Sequence, residues 1–450
     1  MAETVLTPPA TQTAKGRWID HWDPEDPDFW RETGRPIARR NLIWSIFAEH
    51  IGFSVWLLWS IVVVRLDDVG WNLTTSQTLW LTAVPSGVGA VLRLPYTFAV
   101  PKFGGRNWTI ASALLLIIPC AGLAWAVERP EIGYGTLLLV AATAGLGGGN
   151  FASSMANISF FYPEREKGFA LGLNAAGGNL GVAVVQKVVP QVIVLGGGLV
   201  LAYAGLMYIP LAVIAAVCAF LFMDNLSEAK ADPKPVWRSL RHPDTWVMSL
   251  LYIGTFGSFI GYSSAFPTLL TAVFDRQDIA LTWAFLGAGI GSLARPLGGR
   301  LSDSIGGAKI TMVSFAGLAV GAFAALWSVQ HQNLGVFFVS FMFLFVATGI
   351  GNGSTYRMIS RIFQLKGQAD GGSPETMLQM RREAAGALGV ISSVGAFGGF
   401  LVPICYAWSK SESGTIQPAL RFYLVFFVVL LVVTWVRYVR RGSSLAAQGV

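Results

Sequence analysis

The chain has 450 residues, 53% of them hydrophobic and only 13% charged, with a mean hydropathy of +0.55. A soluble domain carries roughly 25% charged residues, so a water-facing globule is excluded. The net charge of +7 does not point to nucleic acid, because the basic residues sit in short loops between apolar runs.

In chain order, residues 1–42 form a polar N-terminal segment without the pattern of a cleavable signal. After it come apolar runs of the length, about 20 residues, that a helix needs to cross about 30 Å of hydrocarbon. Twelve membrane helices are predicted, near 43–64, 79–100, 108–127, 135–161, 168–189, 198–222, 245–272, 282–301, 309–329, 334–361, 385–408 and 419–439. The segment 223–244, with Pro233, Pro235 and four Lys/Arg, is a polar linker. It separates a first six-helix bundle, 43–222, from a second, 245–441, and residues 442–450 form a short tail. The expected fold is an all-α membrane protein of twelve transmembrane helices in two pseudo-symmetric halves. With both termini cytoplasmic, inside segments hold about 23 Lys/Arg and outside loops about four (Arg65, Arg129, Arg276 and Lys410), as the positive-inside rule requires. Cys120, Cys218 and Cys405 all lie in apolar runs without a CxxC or Cys/His cluster, so neither a disulfide framework nor a metal site is suggested.

The halves repeat each other. Arg93 recurs as Arg295, Gly104-Gly105 as Gly306-Gly307, and Gly149-Asn150 as Gly351-Asn352, each 202 positions on. Past a polar insertion near 363–384 the offset becomes 217, pairing Gly172 with Gly389, Gly178 with Gly395 and Gly181 with Gly398. Such repeats enclose a substrate site near the midplane. Arg93 and Arg295 each lie about 20 Å deep in their helices. A buried guanidinium faces a cavity and needs a partner. A structural acid is one choice, yet Glu49 is the one clear carboxylate in the apolar core. Two related arginines without matching acids point to an anionic cargo, and the flat guanidinium fork suits a planar oxyanion.

Small and amide residues concentrate at Gly147-Gly148-Gly149-Asn150 with Ser153, Ser154 and Asn157, and at Asn174, Gly177, Gly178, Asn179 and Gly181. The glycines are read as close helix packing and the asparagines as cavity lining. Tyr252 and Phe256 share a helix face. The turn after Arg295 runs from Gly299 through Asp303 to Gly306, and Asp303 among its basic neighbours is either a charge gate between helices or part of a solvated loop.

That turn, with a weaker copy from Pro101 to Arg106, resembles the recurring loop motif of the major facilitator superfamily. The stretches Gly145–Pro163 and Gly168–Gly181 resemble the first nitrate signature of the nitrate/nitrite porter family, and Gly386–Pro403 resembles the second. The N-terminal IDHWDPEDPDFW and ARRNL resemble its longer NarK/NarU-type members. The resemblance implies that Arg93 and Arg295 clamp the anion, that Phe151 and Phe256 stack on its two faces, and that Tyr252 and Asn179 add hydrogen bonds. Asn174 is placed with this substrate set as an expected cavity-lining residue. Glu49-His50 departs from the apolar first helix of the family's nitrite-extruding members. Glu49 is either a snorkelling or locally paired residue or a proton-coupling group.

The expected function is nitrate uptake coupled to nitrite extrusion by alternating access, in the inner membrane. The alternatives are proton-coupled nitrate symport and transport of another small anion such as formate. A membrane enzyme or sensor lacks support, since there is no nucleophile, nucleotide loop or signalling domain. Nitrate, nitrite and the bilayer are the expected partners, with no cofactor, no metal and no nucleic acid, and the protein is expected to be a monomer.

Overall fold

The computed structural model describes residues 13–14, 17–227, 229, 234–440 and 450. The ends of the predicted N-terminal segment and tail and part of the linker (1–12, 15–16, 228, 230–233 and 441–449) lie outside the described residues. The helices are α1 (Pro27–Arg65), α2 (Thr75–Thr97), α3 (Gly105–Ala126), α4 (Tyr134–Phe161), α5 (Glu164–Val192) and α6 (Ala202–Phe222) in the first half. The second half holds α7 (243–274), α8 (Phe285–Ile305), α9 (Gly307–Gln330), α10 (Leu334–Ala369), α11 (Pro374–Ser413) and α12 (Gln417–Val439).

Nine of these are long and apolar enough to cross a membrane by composition alone. The three that fall short, α2, α7 and α8, have the length. They are also the helices that carry Arg93, Tyr252 with Phe256, and Arg295. Arg93 and Arg295, and Tyr252 with the Ser, Thr and Gly residues around it, lower the hydropathy of these helices.

Local chemistry sets the helix ends. A capping box between Thr74 and Gln77 starts α2, the Asn333 side chain caps α10, and Ser373 followed by Pro374 starts α11. Gly104 and Gly306, at φ +86° and +106°, make the equivalent turns before α3 and α9. Both adopt backbone that favours glycine, which explains why the motif repeats in each half. The polar insertion near 363–384 does not form a loop throughout, because it prolongs α10 to Ala369 and lets α11 begin at Pro374. Its Gln, Lys, Met, Arg and Ala residues are good helix formers. The first helix of each half is irregular: α1 contains a π-helical turn at Trp30–Gly34 and loosens at Leu57-Leu58, and α7 contains a π-helical turn at Ile253–Gly257. Such turns recur at functional sites.

Close approach depends on glycine, as the sequence suggested. A Cβ on Gly147 would meet the Gly52 carbonyl at 2.2 Å, one on Gly349 the Gly291 carbonyl at 2.2 Å, and one on Gly353 the Arg295 carbonyl at 2.2 Å. The halves meet along α2 with α11 and α5 with α8. Hydrogen bonds joining them include Gln277 to the Val64 carbonyl (2.7 Å), Gln186 to the Ser263 carbonyl (2.7 Å) and Ser393 to the Ala90 carbonyl (2.7 Å).

A small sheet departs from the all-α pattern. Thr13–Ala14 (β1) pairs antiparallel with Trp18–Ile19 (β2), which pairs parallel with Asn225–Leu226 (β3) just after α6. Beside it the buried Asp224 carboxylate accepts hydrogen bonds from Arg17 (2.9 Å), Arg40 (2.7 Å) and Asn41 (2.9 Å). The N-terminal segment is thereby fastened to the end of the first half.

Candidate functional site

Arg93 is fully buried on α2. Its Nε donates to the Gly148 carbonyl (3.2 Å) and its Nη1 to the Ser392 carbonyl of the opposite half (3.0 Å). Nη2 has no partner. The guanidinium carbon lies 4.6 Å from the ring centre of Phe151, 5.0 Å from Phe256 and 5.4 Å from Trp56, within cation–π range of all three. Arg295, 5% exposed on α8, leaves Nη1 unpartnered and sits 5.7 Å from the Tyr356 ring centre. Arg295 and Arg93 repel each other, and Glu49 and Tyr252 lie in the field of Arg93. The arginine pair named from sequence is therefore brought together from the two halves, with donor capacity left over on each.

The aromatic residues assemble around it. Phe151 and Phe256 stack across the halves with ring centres 6.0 Å apart and planes 23° off parallel. Tyr252 stacks on Phe256 at 5.2 Å. All three rings are buried, and the Tyr252 hydroxyl has no hydrogen-bond partner. Phe256 lies within the π-helical turn that begins directly after Tyr252, and the two rings stack on each other.

The asparagines divide. Asn174 donates to Ser154 Oγ (2.7 Å), tying it into the first half, and its Oδ1 is unpartnered. Asn179 is buried with Oδ1 unpartnered. Asn150 is spent: its Nδ2 donates to Glu49 (3.4 Å) and its Oδ1 accepts from Ser153 (3.0 Å).

Glu49 does not snorkel. It lies about 20 Å along the helix from Arg35, well beyond snorkelling reach of the helix start, and it is fully buried. One carboxylate oxygen takes the Asn150 bond and the other is unpartnered. The carboxylate packs over Gly178, where an added Cβ would stand 2.8 Å from Glu49 Cγ. The neighbouring His50 ring faces the Gly177 carbonyl at 3.0 Å through Nδ1.

Asp303 pairs with Arg357 at 2.5 Å, linking α8 to α10 within one half, with both side chains more than half exposed. Gly306 makes the turn, and Gly299 faces open space.

Two residues near the arginines were not singled out as site residues from sequence. Tyr356 lies under Arg295, and Asn352, one turn earlier on α10, is 1% exposed with both amide atoms unpartnered. The signal was available: Asn352 is the repeat of Asn150, and Tyr356 is four residues on, on the same helix face.

Residues 45–403 match the family model of the Major Facilitator Superfamily. The chain is 41% identical to the nitrate/nitrite transporter NarU of Salmonella typhimurium, over 94% of this chain and 96% of that one. NarU of Escherichia coli matches at the same identity and coverage. A probable nitrate/nitrite antiporter NarK2 of Thermus thermophilus is 34% identical over 96% of this chain and 99% of that one. Among solved structures, a D-xylose-proton symporter superposes with a TM-score of 0.67 at 16% identity, covering 88% of this chain and 96% of that chain. At that identity the likeness concerns the fold alone.

Proposed function

This chain belongs to the major facilitator superfamily, within its NarK/NarU-type nitrate/nitrite transporters, and from that premise we propose that it exchanges nitrate for nitrite across the inner membrane by alternating access. The protein is a membrane transporter and not an enzyme. The observation that carries the substrate reading is the arginine pair. Arg93 and Arg295 come from opposite halves, each buried and each with an unpartnered N–H. A small planar oxyanion offers the acceptors and the negative charge that this pair lacks. In this reading Phe151 and Phe256 stack on the two faces of the anion. Two van der Waals layers need about 7 Å between rings, so their 6.0 Å separation must open by roughly 1 Å. Tyr252 and Asn179 supply further hydrogen bonds. Asn174 shapes the wall of the cavity through Ser154.

Exchange follows from electrostatics. With no anion between them, two mutually repelling guanidiniums resist burial. Bound cargo relieves that repulsion in whichever state encloses the site, and so favours crossing with the site loaded. Nitrate and nitrite are both monovalent, so one-for-one exchange moves no net charge. Both termini are placed in the cytoplasm, from the excess of basic residues at that side. The Asp303–Arg357 pair then braces α8 against α10 at the cytoplasmic side, beside the turn into α9, and the transporter works as a monomer with its site enclosed by one chain.

One observation favours a second reading, proton-coupled nitrate symport. Glu49 is a fully buried carboxylate with a free oxygen in the field of Arg93. Nitrate uptake into proteoliposomes, competed by unlabelled nitrite, formate and acetate with and without an inward proton gradient, separates these readings. Exchange of nitrate and nitrite predicts competition by nitrite, weak competition by carboxylates and indifference to the gradient. Gradient-driven uptake that is lost in Glu49→Gln would establish symport instead.

A further inference from the structure

The two halves carry the same asparagine in the same repeat, and they treat it differently. In the first half Asn150 gives its N–H to Glu49 and its carbonyl to Ser153. In the second half Asn352 is as deeply buried, at 1% exposure, yet neither amide atom has a partner. Leaving a buried amide unpaired costs about 1–3 kcal/mol, so its persistence calls for an occupant.

The helix geometry says where that amide points. Along α10, Gly349 and Gly353 are set against α8, where their Cβ positions fall on the carbonyls of Gly291 and Arg295. Gly351 and Thr355 are set against α7, through the Thr255 side chain. At 100° per residue, about 3.6 residues per turn, Asn352 and Tyr356 fall on the strip between those two faces. That strip looks into the wedge between α7 and α8. Tyr356 shows what is there: its ring lies 5.7 Å from the Arg295 guanidinium and within the electrostatic reach of Tyr252. Three buried groups with unpartnered polar atoms thus converge from three helices, namely the Tyr252 hydroxyl, Arg295 Nη1 and the Asn352 amide.

We propose that Asn352 is a further substrate-contacting residue, that its Nδ2 donates to one oxygen of the bound oxyanion, and that it sets the preference between nitrate and nitrite. The assignment rests on the proposed nitrate/nitrite cargo. Both anions are acceptors only, so the amide carbonyl must turn away, toward the Tyr252 hydroxyl or an Arg295 N–H. Nitrate has three oxygens and nitrite two. An anion held through two oxygens by the arginines leaves a third only when it is nitrate, and that third oxygen is the one Asn352 is placed to meet. Its repeat counterpart in the first half cannot play this part, because Asn150 is engaged by Glu49 and Ser153.

The test uses the purified full chain and two variants, Asn352→Ala and Asn352→Gln. Thermal stabilisation by nitrate and by nitrite is measured alongside uptake in proteoliposomes. Melting without anion reports folding independently of transport. Asn352→Ala is expected to melt near wild type, to lose about tenfold in apparent nitrate affinity, the worth of one hydrogen bond to an anion, and to lose much less for nitrite. Asn352→Gln, which keeps the donor, is expected to recover part of the nitrate preference. If wild type is stabilised by nitrate and the Ala variant keeps the same nitrate and nitrite affinities, the Asn352 assignment is overturned while the cargo stands. Equal losses for both anions overturn the discrimination. A wild-type protein that neither anion stabilises overturns the cargo reading, and the assignment with it.

Discussion

At the scale of single residues, the account depends on what a guanidinium can do that an ammonium cannot. Lys keeps the positive charge but not the planar, paired donors. Arg93→Lys and Arg295→Lys are each expected to lose about 3 kcal/mol of anion binding, or roughly 100-fold in kcat/KM, measured as initial rates of nitrate uptake. A variant within twofold of wild type would count against the clamp. Glu49→Gln keeps the shape and the Asn150 contact while removing the charge. Under exchange it should leave nitrate/nitrite turnover within a few-fold and unresponsive to a proton gradient; strict dependence of wild-type uptake on Glu49 and on the gradient would favour symport. The arginines were legible in the sequence because a charge inside an apolar run is conspicuous and because it recurs in the second half. Asn352 was visible only as a mark of the repeat. Its availability could not be read from sequence, because that depends on Asn150 being occupied by Glu49 and Asn352 by nothing, a difference between two packing environments that share one motif. The aromatic residues were legible as a set only through the family resemblance and the shared helix face of Tyr252 and Phe256. Phe151 is one of 29 phenylalanines, and only the folded halves bring it against Phe256.

At the scale of helices, glycine sets the spacing. A methyl group on Gly353 would fall 2.2 Å from the Arg295 carbonyl, and the obstruction is backbone, so it cannot swing aside. Gly353→Ala should destabilise the second half by about 1–3 kcal/mol and lower transport by displacing Arg295, read as a fall in melting temperature with weakened nitrate stabilisation. A normal melting temperature would show that α8 and α10 are less tightly fixed. At the start of α7, Asp244 is ion-paired with Lys366 of α10 (2.7 Å) and Arg437 of α12 (3.0 Å). Burial raises its affinity for a proton, but the bonds from Arg437 and Lys366 outweigh burial and hold the carboxyl below its usual range. A depressed carboxylate contributes stability above its unfolded value, about 3.9, and loses it as pH falls through the folded value. Asp244→Asn should therefore lower the melting temperature throughout pH 5–8 and converge with wild type only in strong acid. A difference that vanished at pH 7 would contradict this. The helix positions were legible from hydropathy, except where polar and small residues dilute it, as in α2, α7 and α8. The π-helical turn in α7 and the continuation of α10 to Ala369 were not legible, since both are decided by tertiary packing and by helix propensity in water-facing segments.

At the scale of the whole molecule, two repeated bundles contribute one buried arginine each, and hydrogen bonds such as Arg93 to Ser392, Gln186 to Ser263 and Ser393 to Ala90 join the bundles. The repeat offsets made the two-fold organisation legible in the sequence, because a duplicated fold needs the same turn glycines and the same buried charges twice. What the repeat conceals is asymmetry: among the described residues, Glu49 lies in the field of Arg93, while Asn352, the repeat of Asn150, has no carboxylate bonded to it. The measurement that tests exchange most directly is nitrate uptake into proteoliposomes loaded either with nitrite or with an impermeant anion, at equal pH on both sides. One-for-one exchange predicts rapid uptake only with internal nitrite or nitrate, at a rate independent of membrane voltage. Equal uptake into vesicles holding only the impermeant anion would contradict exchange, because it would show that the site returns empty.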